Sequence, residues 1–442
     1  MVLNAEVVVV GAGMFGSATA KYLARGGADV LVIGPEQPSR DGSRPSLAAY
    51  GAHRDEARIV RRLGWDQVWG TLDTRSADRM RALEAESGIG FLTECGGLAL
   101  MGKGVRHRTA EMLRLAAAAG VTVEELSDTA LGQEFPELAL PPVAGGVDGL
   151  LERRSAGYLN PRLLVQAQLR LAAAAGARLL DGEVTVVSKE PSAGGRWLLR
   201  GTALDGGTIQ ARAEQVVVTT GALANRSGAL PAGHRLDLHA FTEPNLLFEV
   251  PAGQSERLRD LPTVVVVDPE DRGNDNLSVY LLPPVRHPDG KWYVRIGPGM
   301  QPLVRELRTA REMLAWCTGG TITAEQAQFL TAMLRTLLPA LEPVSVRPAC
   351  CVVDKTPTRH PYIGPLCPPG PGEADGLFVA VGGNGHGARG SDEIGRLAAT
   401  LVLGAEWDFP LPREVFAPVP APSPRASGAD RPPYLTPPFG LC

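Results

Sequence analysis

The run Val7-Val8-Val9-Val10-Gly11-Ala12-Gly13-Met14-Phe15-Gly16 has the residue types and spacing to grip a diphosphate. Gly11 permits a tight turn, Gly13 lets a phosphate approach bare backbone, and Gly16 lets the next helix pack on the preceding strand. A helix opening at Met14 and Phe15 would offer unpaired N–H groups and a positive dipole end to the anion. Strand, turn, helix and second strand (Asp29 to Ile33) follow in the order of a dinucleotide-binding βαβ unit. The second strand departs from the pattern. Gly34 stands where an acidic ribose ligand is expected, which leaves Glu36 as the candidate, against the alternative of a solvated loop glutamate.

The elements that must position this unit alternate along the chain. Trp65 to Gly88 reads as a long helix, Phe91 to Met101 as a strand pair with a Gly-Gly turn, and Pro161 to Gly176 as an amphipathic helix. Glu183 to Ser188 and Gln215 to Ala222 read as strands, the second buried and ending in glycine. Leu238 to Val250, Thr263 to Val267, Leu277 to Leu282 and Trp292 to Gly297 suggest an antiparallel sheet. Thr323 to Leu338 is helical, and Leu377 to Val381 is a buried strand that enters a glycine-rich turn before a helix at Ser391 to Leu403. The tail after Trp407 is rich in proline, alanine and serine, and is expected to be disordered or to lie extended across the surface. Nucleotide-unit elements thus recur at the start, middle and end of the chain, unlike the contiguous unit of a simple NAD dehydrogenase.

Bulk properties narrow the function. A chain of 442 residues can bury a large core in two or three domains, and its net charge of −4 with dispersed basic residues gives no reason to expect nucleic acid or an anionic membrane surface. No apolar run approaches transmembrane length, and no basic n-region precedes the first strand. The six cysteines show no C-x-x-C or zinc spacing, which fits a reducing cytoplasm and no metal.

Five blocks together resemble the D-amino-acid oxidase superfamily of flavoproteins, and within it the monomeric sarcosine oxidase group. They are the Gly11–Gly16 turn, Glu56-Ala57-Arg58-Ile59-Val60-Arg61, the Val217–Ala222 strand end, Cys351 to Gly364, and Gly382-Gly383-Asn384-Gly385-His386-Gly387-Ala388-Arg389. The resemblance runs from Val7 to about Gly404. It implies an α/β protein with a discontinuous Rossmann-like FAD-binding domain (1–90, 150–225 and 345–405). A substrate domain with a mixed or antiparallel sheet flanked by helices (91–149 and 226–344) and a tail (406–442) complete it.

The resemblance also assigns roles. FAD is the implied cofactor, and Cys351, by its spacing to Thr356-Pro357, matches the cysteine that bonds the flavin 8-methyl position; Cys350 would face the other side of the strand. Gly383, Asn384, Gly385, His386 and Gly387 match a loop that lies over the flavin ring and offers it backbone N–H groups. Arg58 is expected to touch the flavin, and Val184 and Gly221 to contribute to its cradle. Arg61 matches the arginine that clamps a substrate carboxylate, and Arg389 a lysine that assists it. Arg295 stands where the family has an oxygen-activating lysine; an arginine keeps the charge but cannot readily lose its proton. Tyr280 matches a family tyrosine, and Gly299 replaces an active-site histidine. The implied function is an amine or amino-acid oxidase that converts a C–N bond to an imine and reduces O2 to hydrogen peroxide. A small-molecule amine is the expected partner, such as a glycyl or N-methyl group on a specialised metabolite, with a monomer or small homo-oligomer as the assembly. The alternatives are a dehydrogenase that passes electrons to a partner and a flavin-binding subunit without chemistry of its own.

Overall fold

The computed structural model describes residues 2–35, 51–190, 195–268, 277–301, 304–366, 375–422 and 439–440. Glu36 lies outside them. Two large sheets organise the chain, and the candidate site lies between them.

The first sheet has a parallel centre drawn from distant parts of the sequence. Leu3–Val10 pairs with Val30–Ile33 on one side and with Thr208–Val218 on the other, and Leu377–Val381 adds beside Val216–Val218. Such strands are buried on both faces and so read as continuous β-branched runs; Val7, Val8 and Val9 are fully buried. Trp197–Ala203 extends the sheet antiparallel to Thr208–Val218, and Gly182–Lys189 pairs antiparallel to Trp197–Ala203 at the edge. Helices Met14–Arg25, Pro161–Ala174 and Gly387–Val402 pack together against the sheet through small residues such as Ala20, Ala172 and Ala399.

The second sheet is mixed. Its order is Ser345–Lys355, His239–Val250, Trp292–Pro298, Val279–Arg286, Thr263–Val267, Gly97–Gly102, Val147–Glu152 and Glu124–Leu126. Every pairing is antiparallel except that of Thr263–Val267 with Gly97–Gly102. Helix Ala324–Leu337 covers one face, burying Leu330, Met333, Leu334 and Leu337 against Leu246, Phe248 and Ile296. Its start carries a complete capping box from Thr323 and Gln326.

Three sequence expectations change. Residues 345–355, grouped with the nucleotide unit, form the edge strand of the second sheet, bonded to His239–Val250 along its whole length. Phe91 to Met101 is no hairpin: Leu92–Thr93 pairs with Gly157–Leu159 in a separate three-stranded sheet, and Gly97–Gly102 joins the second sheet. Gly96, at φ +87°, turns the chain between them. The first part of the tail packs firmly. Trp407, Phe409 and Phe416 form an aromatic cluster with ring centroids 5.4–6.1 Å apart, docked on the helical layer.

A buried ionic network locks the helices together. Asp392 accepts from Lys21 Nζ at 2.6 Å, Arg79 Nε at 2.6 Å, Tyr22 Oη at 2.8 Å and Gln168 Nε2 at 3.0 Å. These partners come from three different helices. Among the described residues no helix is long and apolar enough to cross a membrane.

Candidate active site

The phosphate cradle has the geometry its sequence implies. Gly11 sits at φ +109°, and a Cβ there would lie 2.9 Å from Thr219 Oγ1 and 3.0 Å from Thr219 O. A Cβ on Gly16 would collide with Gly11 O and Thr219 Oγ1, so close strand–helix packing requires glycine at that position. Gly13 differs: its nearest neighbour would be His53 Nδ1 at 3.6 Å, so the protein itself leaves room there. Helix Met14–Arg25 begins at Gly13 with no side-chain cap and no acid in its first turn, whereas Asp66 and Asn160 cap their own helices. Its exposed donors suit an anion. Beside it, the Thr220 hydroxyl is buried with no partner among the described residues, and Gly221 opens a short turn at φ +54°. An open glycine, an uncapped helix end and an orphan hydroxyl together fit the diphosphate of FAD.

Gly34 explains its own departure from the acidic pattern. A Cβ at this position would collide with Ala12 N and sit 2.7 Å from Ala12 Cβ, so no carboxylate can grow there without displacing the turn. The ribose ligand must come from elsewhere, and Glu36 lies outside the described residues. Val184 is buried among Val10, Trp197 and Leu199, which leaves its backbone as the part that can face a ligand.

Between the sheets lies a cleft that is partly open to solvent. Strand Arg58–Val60 and its flanks contribute Arg58 and Arg61, the second sheet contributes Glu243, Tyr280 and Arg295, and the late glycine loop contributes Gly385, His386 and Arg389. Chain segments more than 300 residues apart therefore converge, bringing the Glu56–Arg61 and Gly382–Arg389 blocks to one cleft.

Each guanidinium is held. Arg58 and Arg295 both donate through Nη1 to Asp55 Oδ2, and both point Nη2 at Cys351 Sγ, at 3.6 and 3.3 Å. Burial pushes the Cys351 thiol up, and Arg58 opposes that shift. Cys350 faces away, its thiol donating to Gly320 O at 3.2 Å. Cys351 lies inside strand Ser345–Lys355 rather than at its end. Arg389 pairs with Asp73 at 2.5 Å, and Arg61 lies over the Trp65 ring at 5.1 Å. Burial pushes Asp73 up to about 7, while the nearby Arg389 and Arg61 charges pull it down.

Tyr280 leans across Gly297, where any Cβ would collide with the Tyr280 ring and with Asn245 Oδ1. This lets its hydroxyl reach Glu243 Oε1 at 2.6 Å and contact Asn245 Oδ1, while Arg295 Nη2 donates to it at 3.2 Å. Burial, reinforced by Glu243, holds the phenol well above its usual value. A Cβ on Gly299 would lie 2.8 Å from Ser278 Cβ, so the missing histidine has no space in this packing. His386 accepts at Nδ1 from Arg389 Nη2 at 3.1 Å and tilts against Trp69 at 5.2 Å. Burial and the charges of Arg389, Lys355 and Arg61 hold it well below the usual imidazole range, so it is neutral.

The loop at Gly382–Gly387 corrects one expectation. Its backbone N–H groups are largely engaged within the protein: those of Gly382, Gly383 and Asn384 go to the half-buried Asp354 carboxylate, and those of His386 and Gly387 to Gly383 O. A half-buried carboxylate needs donors, and Asp354 takes them from the loop. The Asn384 side chain is likewise internal, bonding Gly382 O at 2.7 Å and Thr356 N at 2.9 Å. Asn384 itself sits at φ +53°, a conformation asparagine tolerates. Gly387 is glycine because Phe15 packs there, 2.8 Å from where a Cβ would lie.

Sequence reading assigned no role to Asp55, Asp73, Glu243 or His53. Asp55 and His53 sit just upstream of Arg58, and Glu243 is an acid in the interior of a largely buried strand, which was the available signal. His53 stands over Gly13, and burial aided by Arg162 and Arg58 pulls it down to about 4.

Comparison with known proteins agrees with this geometry. The chain is 28% identical to the monomeric sarcosine oxidase of Bacillus sp. (strain B-0618) over 176 residues, 40% of this chain and 42% of that protein. It is 24% identical to the monomeric sarcosine oxidase of Streptomyces avermitilis over 412 residues, 92% of this chain and 95% of that one. Its fold matches that of NikD, an unusual amino acid oxidase essential for nikkomycin biosynthesis. The TM-score is 0.70 at 21% identity, covering 95% of this chain and 98% of that chain. The sequence pattern of the DAO family, FAD dependent oxidoreductase, matches residues 6–401. The chain belongs to the DAO family of FAD-dependent oxidoreductases.

Proposed function

We propose that the chain oxidises a C–N bond of a small amine or amino acid to the imine, with oxygen taking up the two electrons and two protons as hydrogen peroxide. The observation that carries this reading is the single cleft in which Arg61, Arg389, His386, Tyr280 and Arg295 meet the glycine loop. Relatives named for sarcosine and N-methyl-L-tryptophan oxidation support the reaction class. FAD, when bound, supplies the two-electron acceptor.

The residues of the chain do the rest. Arg61 and Arg389 present guanidinium donors that suit a substrate carboxylate. Neutral His386 orients Arg389 by accepting a hydrogen bond from its Nη2–H at Nδ1. A wall of guanidiniums disfavours an ammonium ion, so the amine enters in its neutral, oxidisable form. Arg295 stays charged and the Tyr280 phenol stays protonated, so both act as donors rather than bases. Two guanidiniums near Cys351 Sγ oppose the upward push of burial on its thiol, which lessens the cost of the thiolate that covalent attachment to the flavin would use.

One observation favours a second reading. Arg295 is 4% exposed and committed to Asp55, Tyr280 and Cys351, where the family places a titratable lysine. Slow reaction with oxygen would make the enzyme a dehydrogenase. Holoprotein incubated aerobically with glycine, sarcosine and N-methyl amino acids should release hydrogen peroxide and a carbonyl product in equal amounts. Carbonyl formation only with an added electron acceptor would establish the dehydrogenase, and neither product with any amine would overturn both readings.

A further inference from the structure

Glu243 is a carboxylate on the cleft wall, and its environment is unlike that of the other charged groups there. Arg58 and Arg295 share Asp55, and Arg389 has Asp73. Glu243 forms no ion pair with any described residue, and the Arg58 guanidinium, already bonded to Asp55, acts on it only through its charge. Its carboxylate accepts one hydrogen bond among them, from the Tyr280 hydroxyl to Oε1 at 2.6 Å. Three features fix its position. Glu243 lies opposite Cys351 in the strand register, Tyr280 leans over Gly297 to reach it, and Asn245 stands two residues along on the same face. A half-buried carboxylate held this way, with one oxygen taking no hydrogen bond from a described residue, calls for a cation.

Resting on the amine-oxidase reading above, we infer that Glu243 selects substrates bearing a second, non-reacting cationic group, an ammonium or guanidinium on the side chain. The reacting nitrogen is the wrong partner for it. A carboxylate there would stabilise the ammonium, the form that cannot give up a hydride equivalent. A substrate spanning the cleft therefore places its carboxylate at Arg61 and Arg389 and its distal cation at Glu243. The charge pattern discriminates against the neutral isostere, because binding that isostere would desolvate Glu243 without compensation.

Calorimetric binding to the holoprotein separates this from the reaction itself, since it uses ligands that cannot be oxidised at a C–N bond beside a free amine. The probes are 4-guanidinobutanoate and its neutral isostere 4-ureidobutanoate. The wild-type protein should bind the guanidino acid about tenfold or more tightly, a difference of about 1.4 kcal/mol. In Glu243→Gln the two should bind equally, and Glu243→Asp should retain part of the preference. Equal binding of the two probes to the wild-type protein overturns the inference whether or not any variant folds, as does a preference that survives Glu243→Gln. If amines fail to reduce the flavin while the guanidino acid still binds selectively through Glu243, the reaction class is wrong and the cation site stands.

Discussion

Arg61 and Arg389 approach the cleft from segments far apart in sequence, yet both lie in the field of one buried acid, Asp73. A substrate carboxylate competes with Asp73 for their donors, so losing one guanidinium weakens binding without unfolding the site. Arg61→Ala should raise KM for a carboxylate-bearing amine by about ten- to a hundredfold, the worth of charged hydrogen bonds. Steady-state kinetics on that amine and its amide checks this; an equal loss on both would remove the carboxylate contact. The pH profile belongs to the same scale. His386 is held neutral and Tyr280 protonated, so neither titrates between about pH 8 and 9.5, a range in which Asp73, pushed up to about 7, is already ionised. In that range the second-order rate of flavin reduction should therefore rise with pH along the ionisation of the substrate amine alone and then level off. An inflection that stays fixed when the amine is changed for one of different basicity would assign a proton-transfer role to the protein. Cys351→Ser should leave the flavin extractable into the supernatant on acid precipitation, with the wild-type flavin in the pellet. Extractable flavin in the wild type removes the covalent link.

At the scale of elements, glycines decide what the strands and helices can bring together. Gly16 lets helix Met14–Arg25 seat on the first strand, and its obstacles are backbone as well as side chain. Gly16→Ala should cost at least about 1–3 kcal/mol, in the range of overpacked cores, and should release FAD. Thermal melts and flavin content after gel filtration measure both, and a variant with full flavin and an unchanged Tm would disprove the close packing. The turn at Gly11–Gly16 was legible because physics forces glycine at Gly11 and Gly16 whatever the rest of the chain does. The antiparallel strands Thr263–Val267 and Trp292–Pro298 were legible for the same kind of reason, through β-branched runs ended by turns. Pairing between distant strands was not. Gly97–Gly102 looks locally like half of a hairpin, and only the tertiary structure gives it Thr263–Val267 as a parallel neighbour. Glu243 was hidden in the same way: its strand was visible, but the tyrosine that leans toward it is 37 residues away.

Across the whole molecule, the helical layer behind the first sheet depends on charge as well as on apolar packing. Lys21 is fully buried, and Asp392, which it meets, is held down at about 2 by Lys21 and Arg79 against the effect of burial. A carboxylate with a lowered pKa contributes stability that is present above its unfolded value near 4 and lost as pH falls toward 2. Acid unfolding should therefore steepen in that window. Asp392→Asn should cost about 3–5 kcal/mol near neutral pH, because it leaves a buried cation without its partner. Denaturant unfolding at pH 7 and pH 3 tests this; a variant as stable as the wild type at pH 7 would show that the network contributes nothing. The same layer carries Arg389 to the cleft and sets Phe15 against Gly387 and Trp69 against His386, so its rigidity sets the geometry of the site.

The central claim is that one cleft holds the flavin ring and an amine side by side. Anaerobic titration of the yellow holoprotein with a panel of amino acids, N-methyl amino acids and basic amines tests it most directly. The expected result is stoichiometric bleaching by at least one amine, abolished by adding a non-oxidisable carboxylate that competes for Arg61 and Arg389. Flavin that stays yellow with every amine, or that bleaches equally fast with the competitor present, would contradict it.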